Sequence, residues 1–255
     1  MPNLTNKTIL LTGASKGIGA AAARALGAAG ASLIAHYGSD RAGVEAATAD
    51  VPDNRKRLIP ADLGDPAGAE ALWAEALTWH GHIDVLVNNA GIMLWDGGID
   101  AADADWDETW NRTLSVNVLG PARLLRNAVR HYRETGGGVI VTVSSWAAQR
   151  GSTHPDSLAY AASKAAIKAA TQTIARGCAK ENILAYIIAP GVVRTQMSES
   201  FAATQGGEEP VTASLAMGEW VPPDDIAGLI AFLATGTCRH LSGATLDVNG
   251  ATYVR

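Results

Sequence analysis

Lys7-Thr8-Ile9-Leu10-Leu11-Thr12-Gly13-Ala14-Ser15-Lys16-Gly17-Ile18-Gly19 decides how the rest of the chain is read. An apolar, β-branched run over 7–12 passes straight into a turn holding three glycines, and an Ala-rich stretch of helical period follows over 17–29. The run predicts a buried strand, and the stretch predicts a helix packed on it. Glycines at such a junction permit a tight turn and let backbone N–H groups at the head of the helix approach an anionic group. Many tight turns need glycine for no further reason. Its place between a first strand and a first helix is what gives this one weight.

Working outward, the alternation continues along the chain. Strands are expected near 7–12, 31–37, 56–60, 83–88, 138–144, 183–189 and 244–249, and helices near 17–29, 41–50, 66–80, 107–134, 158–179 and 223–235. Short β-branched strands between longer helices are the pattern of parallel β-α units. The expected fold is α/β: a doubly wound parallel sheet of about seven strands with helices on both faces. No repeat or low-complexity linker divides the 255 residues, so a single domain over 1–255 is expected. The longest break, 194–222, is rich in Ser, Gly, Glu and Pro, and a loop that long inside a compact domain is usually functional or mobile.

Composition narrows the function. Charged residues make up 18% and the formal net charge is -5, with a mean hydropathy of +0.07. Nothing in that balance argues for nucleic acid as a partner. No apolar run approaches the length of a membrane span, and the first residues lack a basic-then-apolar signal pattern. Cys178 and Cys238 have neither metal nor redox spacing, and His80 and His82 have no third ligand in view, so no metal is expected. A cytoplasmic location with two free thiols is the simplest reading.

The chemistry-bearing residues gather where strands end. In doubly wound sheets ligands bind outside the carboxyl ends of the strands. The third expected strand ends at Asp62-Leu63, where the carboxylate either accepts from an adenine amino group or belongs to the cap of the next helix at Asp65-Pro66. The fourth ends in Asn88-Asn89-Ala90-Gly91, suited to a wall against a ligand or to an ordinary Asn-rich turn. The fifth ends in Ser144-Ser145, with no G-x-S-x-G elbow around them. Tyr160 and Lys164 stand four residues apart and share one face of a helix. A nearby ammonium favours a phenolate, so the pair is a plausible acid/base device. Fold-blind, the same pair is more often an aromatic stem beside a solvated charge. The sixth strand runs into Pro190-Gly191, with Val193 and Thr195 following.

In this order the motifs closely resemble the short-chain dehydrogenase/reductase family, in its compact 3-oxoacyl-carrier-protein reductase-like branch, and the resemblance covers essentially the whole chain. The glycine spacing here, Gly-x3-Gly-x-Gly after Thr12, differs from the G-x-G-x-x-G of the common dinucleotide fold. The resemblance implies a Rossmann-type sheet and an enzyme passing hydride between a nicotinamide cofactor and a carbonyl/secondary alcohol pair. It implies Asn117, Ser145, Tyr160 and Lys164 as catalytic residues: Tyr160 as acid/base, Lys164 holding ribose hydroxyls and lowering the Tyr160 pKa, Ser145 orienting the reacting oxygen, and Asn117 anchoring a water. It further implies a cofactor held by Gly13, Ser15, Lys16, Gly17, Ile18, Gly19, Tyr37, Gly38, Ser39, Asp62, Leu63, Asn89, Ala90, Gly91, Tyr160, Lys164, Pro190, Gly191, Val193 and Thr195. Two features depart from the family pattern. The stretch from Ser145 to Tyr160 is about two residues longer than the family pattern, and Tyr186 stands where the sixth strand commonly carries Asn, a change expected to alter packing and not chemistry.

A small-molecule carbonyl or alcohol is the expected substrate, lined by Met93, Leu94 and Trp95, by Trp146 to His154, and by 194–222 as a lid. A non-catalytic dinucleotide sensor on the same fold is the alternative, and an epimerase or dehydratase of the longer branch would need a further substrate domain. NADP(H) is expected in preference to NAD(H), which stays possible. The second strand ends at Tyr37, where NAD-using members carry a carboxylate, and Lys16 and Arg41 lie close enough in sequence to meet a 2′-phosphate. Lys16 reads equally as a solvated loop charge and Arg41 as the first residue of a helix. The resemblance also implies a homotetramer pairing the helices near 107–134 and 158–179.

Overall fold

The computed structural model describes residues 2–95 and 98–255. The first half runs β1 (Thr8–Leu11), α1 (Gly17–Ala28), β2 (Ser32–Tyr37), α2 (Arg41–Ala47), β3 (Lys56–Pro60), α3 (Pro66–His80), β4 (Val85–Asn88), α4 (Asp103–Leu114) and α5 (Gly120–Thr135). The second runs β5 (Gly138–Val143), α6 (Ala147–Arg150), α7 (Leu158–Gly177), β6 (Ile183–Pro190), α8 (Gln196–Thr204), α9 (Glu208–Ala213), α10 (Pro223–Ala234) and β7 (Thr245–Val248).

The strands form one seven-stranded sheet in the order β3-β2-β1-β4-β5-β6-β7, parallel throughout. Parallel sheets need cover on both faces, which is why these strands read as continuous apolar runs. Successive side chains then divide between two cores. Ile9 and Leu11 pack with Leu26 and Ile230 on the α1/α10 face. Leu10 packs with Leu72, Leu124 and Ile167 on the α3/α5/α7 face. Every expected strand is present. The chain reverses direction across the sheet between β1 and β4, and that switch opens a crevice at their carboxyl ends.

Two expectations are corrected. The helix placed over 107–134 is two helices, α4 and α5, joined by a π-helical turn at Ser115–Leu119, in which Gly120 N–H reaches back to Ser115 O. Pro121 has no N–H to return to the carbonyl of Asn117 four residues earlier, so the regular ladder fails there. The 194–222 stretch is not a continuous loop, since it contains α8 and α9. Thr195 caps α8 by accepting from Ser198 N–H at 3.3 Å, and Gly206 and Gly207, both at positive φ, break the chain between the two helices. These helices bury only a small cluster of their own, Val192, Ala202, Val211, Leu215 and Trp220, so no long apolar period announces them. Tyr186, the departure in β6, is fully buried and its hydroxyl donates to Cys238 O at 3.1 Å.

Candidate active site

A cleft of about 450 Å³ lies at the switch point. Of the expected cofactor residues, Gly13, Ser15, Lys16, Gly17, Ile18, Gly19, Gly38, Ser39, Asp62, Leu63, Asn89, Ala90, Gly91, Pro190, Gly191, Val193 and Thr195 line it, together with Ser145, Tyr160 and Lys164. Tyr37 does not: its ring is buried in the α1/α10 core. Strand alternation explains the correction, because the neighbour His36 takes the cleft side. Asn117 is also set back, fully buried behind the wall.

The glycine turn is held by the fourth strand. Thr12 Oγ1 donates to Val87 O at 3.2 Å and accepts from the N–H groups of Asn89 at 3.0 Å and Ala90 at 3.1 Å. Asn89 Nδ2 returns two bonds, to Thr12 O at 2.9 Å and Gly13 O at 3.1 Å. Gly13 sits at φ +69°, and a Cβ there would lie 2.9 Å from Ala90 Cα, so only glycine fits. Among the described residues no side chain caps α1. Its first N–H groups therefore face the cleft as free donors, which suits the phosphates of a dinucleotide.

Asp62 is not the cap of α3, and it lines the cleft. Asp65 caps α3, accepting from Ala67 N–H at 2.9 Å. Asp62 accepts from Gly64 N–H at 2.8 Å and forms a two-bond pair with Arg112 at 3.2 Å for each contact. The backbone N–H of Gly64 and the guanidinium hold its carboxyl below the usual range. Arg112, His36 and Asp40 line the cleft but are not singled out by sequence reasoning. Asp40 is the N-cap of α2, accepting from Gly43 N–H at 2.9 Å, so its residue type already had an ordinary explanation. Arg41 is drawn away to Glu45 at 2.8 Å.

Helix α7 sets Tyr160 and Lys164 one turn apart on the cleft face, with Lys164 Nζ 5.8 Å from the centre of the Tyr160 ring. The paired serines separate by role. Ser144 Oγ donates to Lys164 O at 2.9 Å and anchors the helix. Ser145 Oγ accepts from Ala147 N–H at 3.1 Å, and its hydroxyl beside the Tyr160 phenol favours the phenolate. Burial pushes the Tyr160 phenol above its ordinary value, and the Ser145 hydroxyl only partly opposes this. The expectation that Lys164 lowers it is not met here, because the ammonium is not bonded to the phenol. Lys164 is itself buried, which brings its pKa down to about 8, and it donates one bond to Val143 O at 3.2 Å. An ammonium carries three donors, so two remain for hydroxyl groups of a ligand in the cleft. Asn117 accepts from Ile92 N–H at 2.8 Å and donates to Ile92 O at 2.8 Å, fixing the wall in front of Lys164. A Cβ at Gly91 would lie 3.0 Å from Lys164 Nζ, so a larger residue there would press on the ammonium.

Aromatic side chains cluster from three other segments. Trp95 stacks on Phe201 of α8, with centroids 6.0 Å apart and planes at 13°. His154 meets the same ring edge-on at 5.8 Å, and Gln205 Nε2 lies 3.1 Å from His154 Nδ1. Trp146 carries the Arg150 guanidinium 4.6 Å from its ring centre. Phe201 was not anticipated, and nothing local in the sequence marks it. Among the described residues no group of His, Cys, Asp or Glu could hold a metal, and no helix is long and apolar enough to cross a membrane.

Comparison with known proteins places this geometry. The family model described as Enoyl-(Acyl carrier protein) reductase matches residues 13–251. L-rhamnose 1-dehydrogenase (NAD(P)(+)) of Azotobacter vinelandii is 34% identical over 98% of this chain and 98% of its own length. Versicolorin reductase 1 of Aspergillus parasiticus is 32% identical over 98% of this chain and 97% of its own length. The crystal structure of 3-ketoacyl-(acyl-carrier-protein) reductase from Brucella melitensis, complexed with NADH, superposes with a TM-score of 0.87 at 28% identity, covering 99% of this chain and 100% of that one. The chain therefore belongs to the short-chain dehydrogenase/reductase family, as an oxidoreductase acting on alcohol and ketone groups.

Proposed function

We propose that this enzyme reduces a ketone to a secondary alcohol with NADP(H), with Tyr160 as the general acid. The observation that carries the reading is a phenol kept protonated by burial, beside Ser145 and one helical turn from Lys164 in a single cleft. The nicotinamide cofactor supplies the hydride. Ser145 accepts from Ala147 N–H, which leaves its own proton free for Tyr160 Oη or a carbonyl oxygen at the same place. Tyr160 Oη gives its proton to that oxygen, a contribution of about 10²–10⁴ in rate. Lys164 binds ribose hydroxyls through its two free donors, and with a pKa of about 8 it can return a proton to Tyr160 near neutral pH. Asn117 keeps Gly91 and Ile92 in register against Lys164. The substrate presents a flat apolar body to Trp95 and Phe201, with α8 and α9 as a lid.

The NADP(H) preference rests on Tyr37, where no carboxylate closes the second strand, and on exposed Lys16 at the mouth of the cleft. Asp40 favours the other reading, NAD(H), because its carboxylate lines the same cleft. Steady-state kinetics with both cofactors decide between them. We expect a higher kcat/KM with NADPH, and Lys16→Ala should narrow the ratio while leaving NADH activity nearly unchanged; a higher value with NADH would overturn the preference.

The whole chain acts as one catalytic domain in the cytoplasm, assembled as a homotetramer. Exposed Leu119 and Leu158 on the α5 and α7 side support an assembly surface there. Light scattering at micromolar concentration should return four times the chain mass, and a monomer would refute the assembly.

A further inference from the structure

His36 occupies a place that the reaction chemistry leaves unexplained. It is the penultimate residue of β2, almost wholly buried, and it lines the cleft beneath the glycine turn. Its Nδ1 faces Gly13 N–H at 3.1 Å, and its Nε2 faces Ala61 O at 3.0 Å. A backbone N–H can only donate and a carbonyl can only accept. Both contacts are satisfied together by one state alone: the neutral ring with its proton on Nε2. Its own carbonyl also accepts from Ala14 N–H at 2.8 Å. The residue thus ties the turn after β1 to the chain leaving β3, across the strand between them.

We propose that His36 is a positioning residue that holds the Gly13 turn in its dinucleotide-binding form, and that protonating its ring releases the turn and weakens cofactor binding. A second ring proton would sit on Nδ1 and point at Gly13 N–H, donor against donor. Gly13 is held at positive φ between this bond and the Asn89 side chain, so losing one restraint moves the backbone that meets the cofactor. Charged groups face the ring's surroundings from each neighbouring element: Lys16 on the turn, Asp40 at the head of α2, Asp62 after β3, and Arg112 from α4. The two carboxylates favour ring protonation and the two cations oppose it, while Asp62 is already engaged by Arg112. Burial outweighs the Asp62 charge and keeps the ring below its ordinary pKa, so release is expected only on the acid side of neutrality.

The inference rests on the cleft being the cofactor site, and the test separates the two. Affinity for NADH, which has no phosphate monoester to titrate, is measured by fluorescence between about pH 5 and pH 8, the range in which a histidine changes charge. The proteins are wild type, His36→Asn and His36→Leu. Asn places Oδ1 where Nδ1 stands, and so keeps the acceptor while removing the titration. Wild type should lose affinity on acidification, and the Asn variant should bind within about threefold of it at neutral pH with a flat profile, as retention of one hydrogen bond implies. The Leu variant should bind about tenfold or more weakly throughout, as an unmet buried N–H implies. An Asn variant with the wild-type pH dependence, or a folded Leu variant that binds like wild type, overturns the proposal. Failure of wild type to bind either NADH or NADPH overturns the cleft assignment itself.

Discussion

The cleft and the ring cluster of Trp95, Phe201 and His154 are made in different ways. On the cofactor side, the ends of β1 to β4 meet through main chain: Thr12 Oγ1 and the Asn89 amide bond to backbone atoms. In the cluster proposed to meet the substrate, the Trp95, Phe201 and His154 rings come from three separate segments. Backbone contact restricts residue type at fixed offsets, as Gly13 shows, because a Cβ has nowhere to go. Ring contact tolerates many types, provided volume is filled. Under the proposed function, the first is shaped for a constant ligand and the second for a variable one.

The contrast breaks most sharply at Tyr160. Tyr160→Phe should cut turnover by about a hundredfold or more, yet leave cofactor affinity within about twofold, since only a hydroxyl is removed. Retaining over a tenth of the wild-type rate would dismiss Tyr160 as the acid.

Lys164→Met should raise the cofactor Kd and lower kcat together, because the proposed mechanism uses the ammonium for both ribose and phenol. It also carries a stability signature. With a folded pKa of about 8 against the ordinary 10.5, the unfolded chain binds more protons across that window. Wild-type stability should therefore rise with pH from about 8 to 10.5, and the desolvation cost of the charged group is fully present below it. The methionine variant should lack this rise, with a Tm at pH 7 no lower than wild type. Identical Tm–pH slopes in the two proteins would show that Lys164 is not buried as a charge.

The smallest effect is expected at Phe201. Phe201→Ala removes the stacking partner of Trp95, a contact worth about 0.5–1.5 kcal/mol beyond burial. KM for the carbonyl substrate should rise severalfold, with cofactor affinity unmoved. Hydrogen exchange over 194–222 should slow in wild type when cofactor and product are both bound. Equal exchange with and without them would mean that α8 and α9 are a fixed wall.

The same division explains what could be read beforehand. All seven strands, the glycine turn, and the Tyr160–Lys164 and Ser145 positions are legible because periodicity and backbone constraint write them locally. Asp62 and Arg112 are 50 residues apart, and no local rule pairs them. His36 and Asp40 look like a core histidine and a helix cap, and each is that as well as a cleft residue. The raised pKa of the phenol was missed because the spacing of Tyr160 and Lys164 reveals proximity but not burial. The helices α8 and α9 were hidden because their buried cluster is too small to impose a period on the sequence.

Thr12 and Asn89, 77 positions apart, set a schedule for the chain as it is made. At about 5–20 residues per second, the partner of the glycine turn is synthesised roughly 4–15 s after the turn itself. Lys164 and Thr195 come later still, so a ribosome-bound fragment ending before β4 has no means of gripping a dinucleotide. Ligand stabilisation, which acts only on a form that binds, reaches this chain when most of it has already emerged. Until then the three strands β1, β2 and β3 must hold together on their own apolar faces, with the β4-facing edge of β1 open to any passing strand. A truncation series displayed on stalled ribosomes should thus gain cofactor-dependent protease resistance abruptly, at lengths past Thr195, and not in increments.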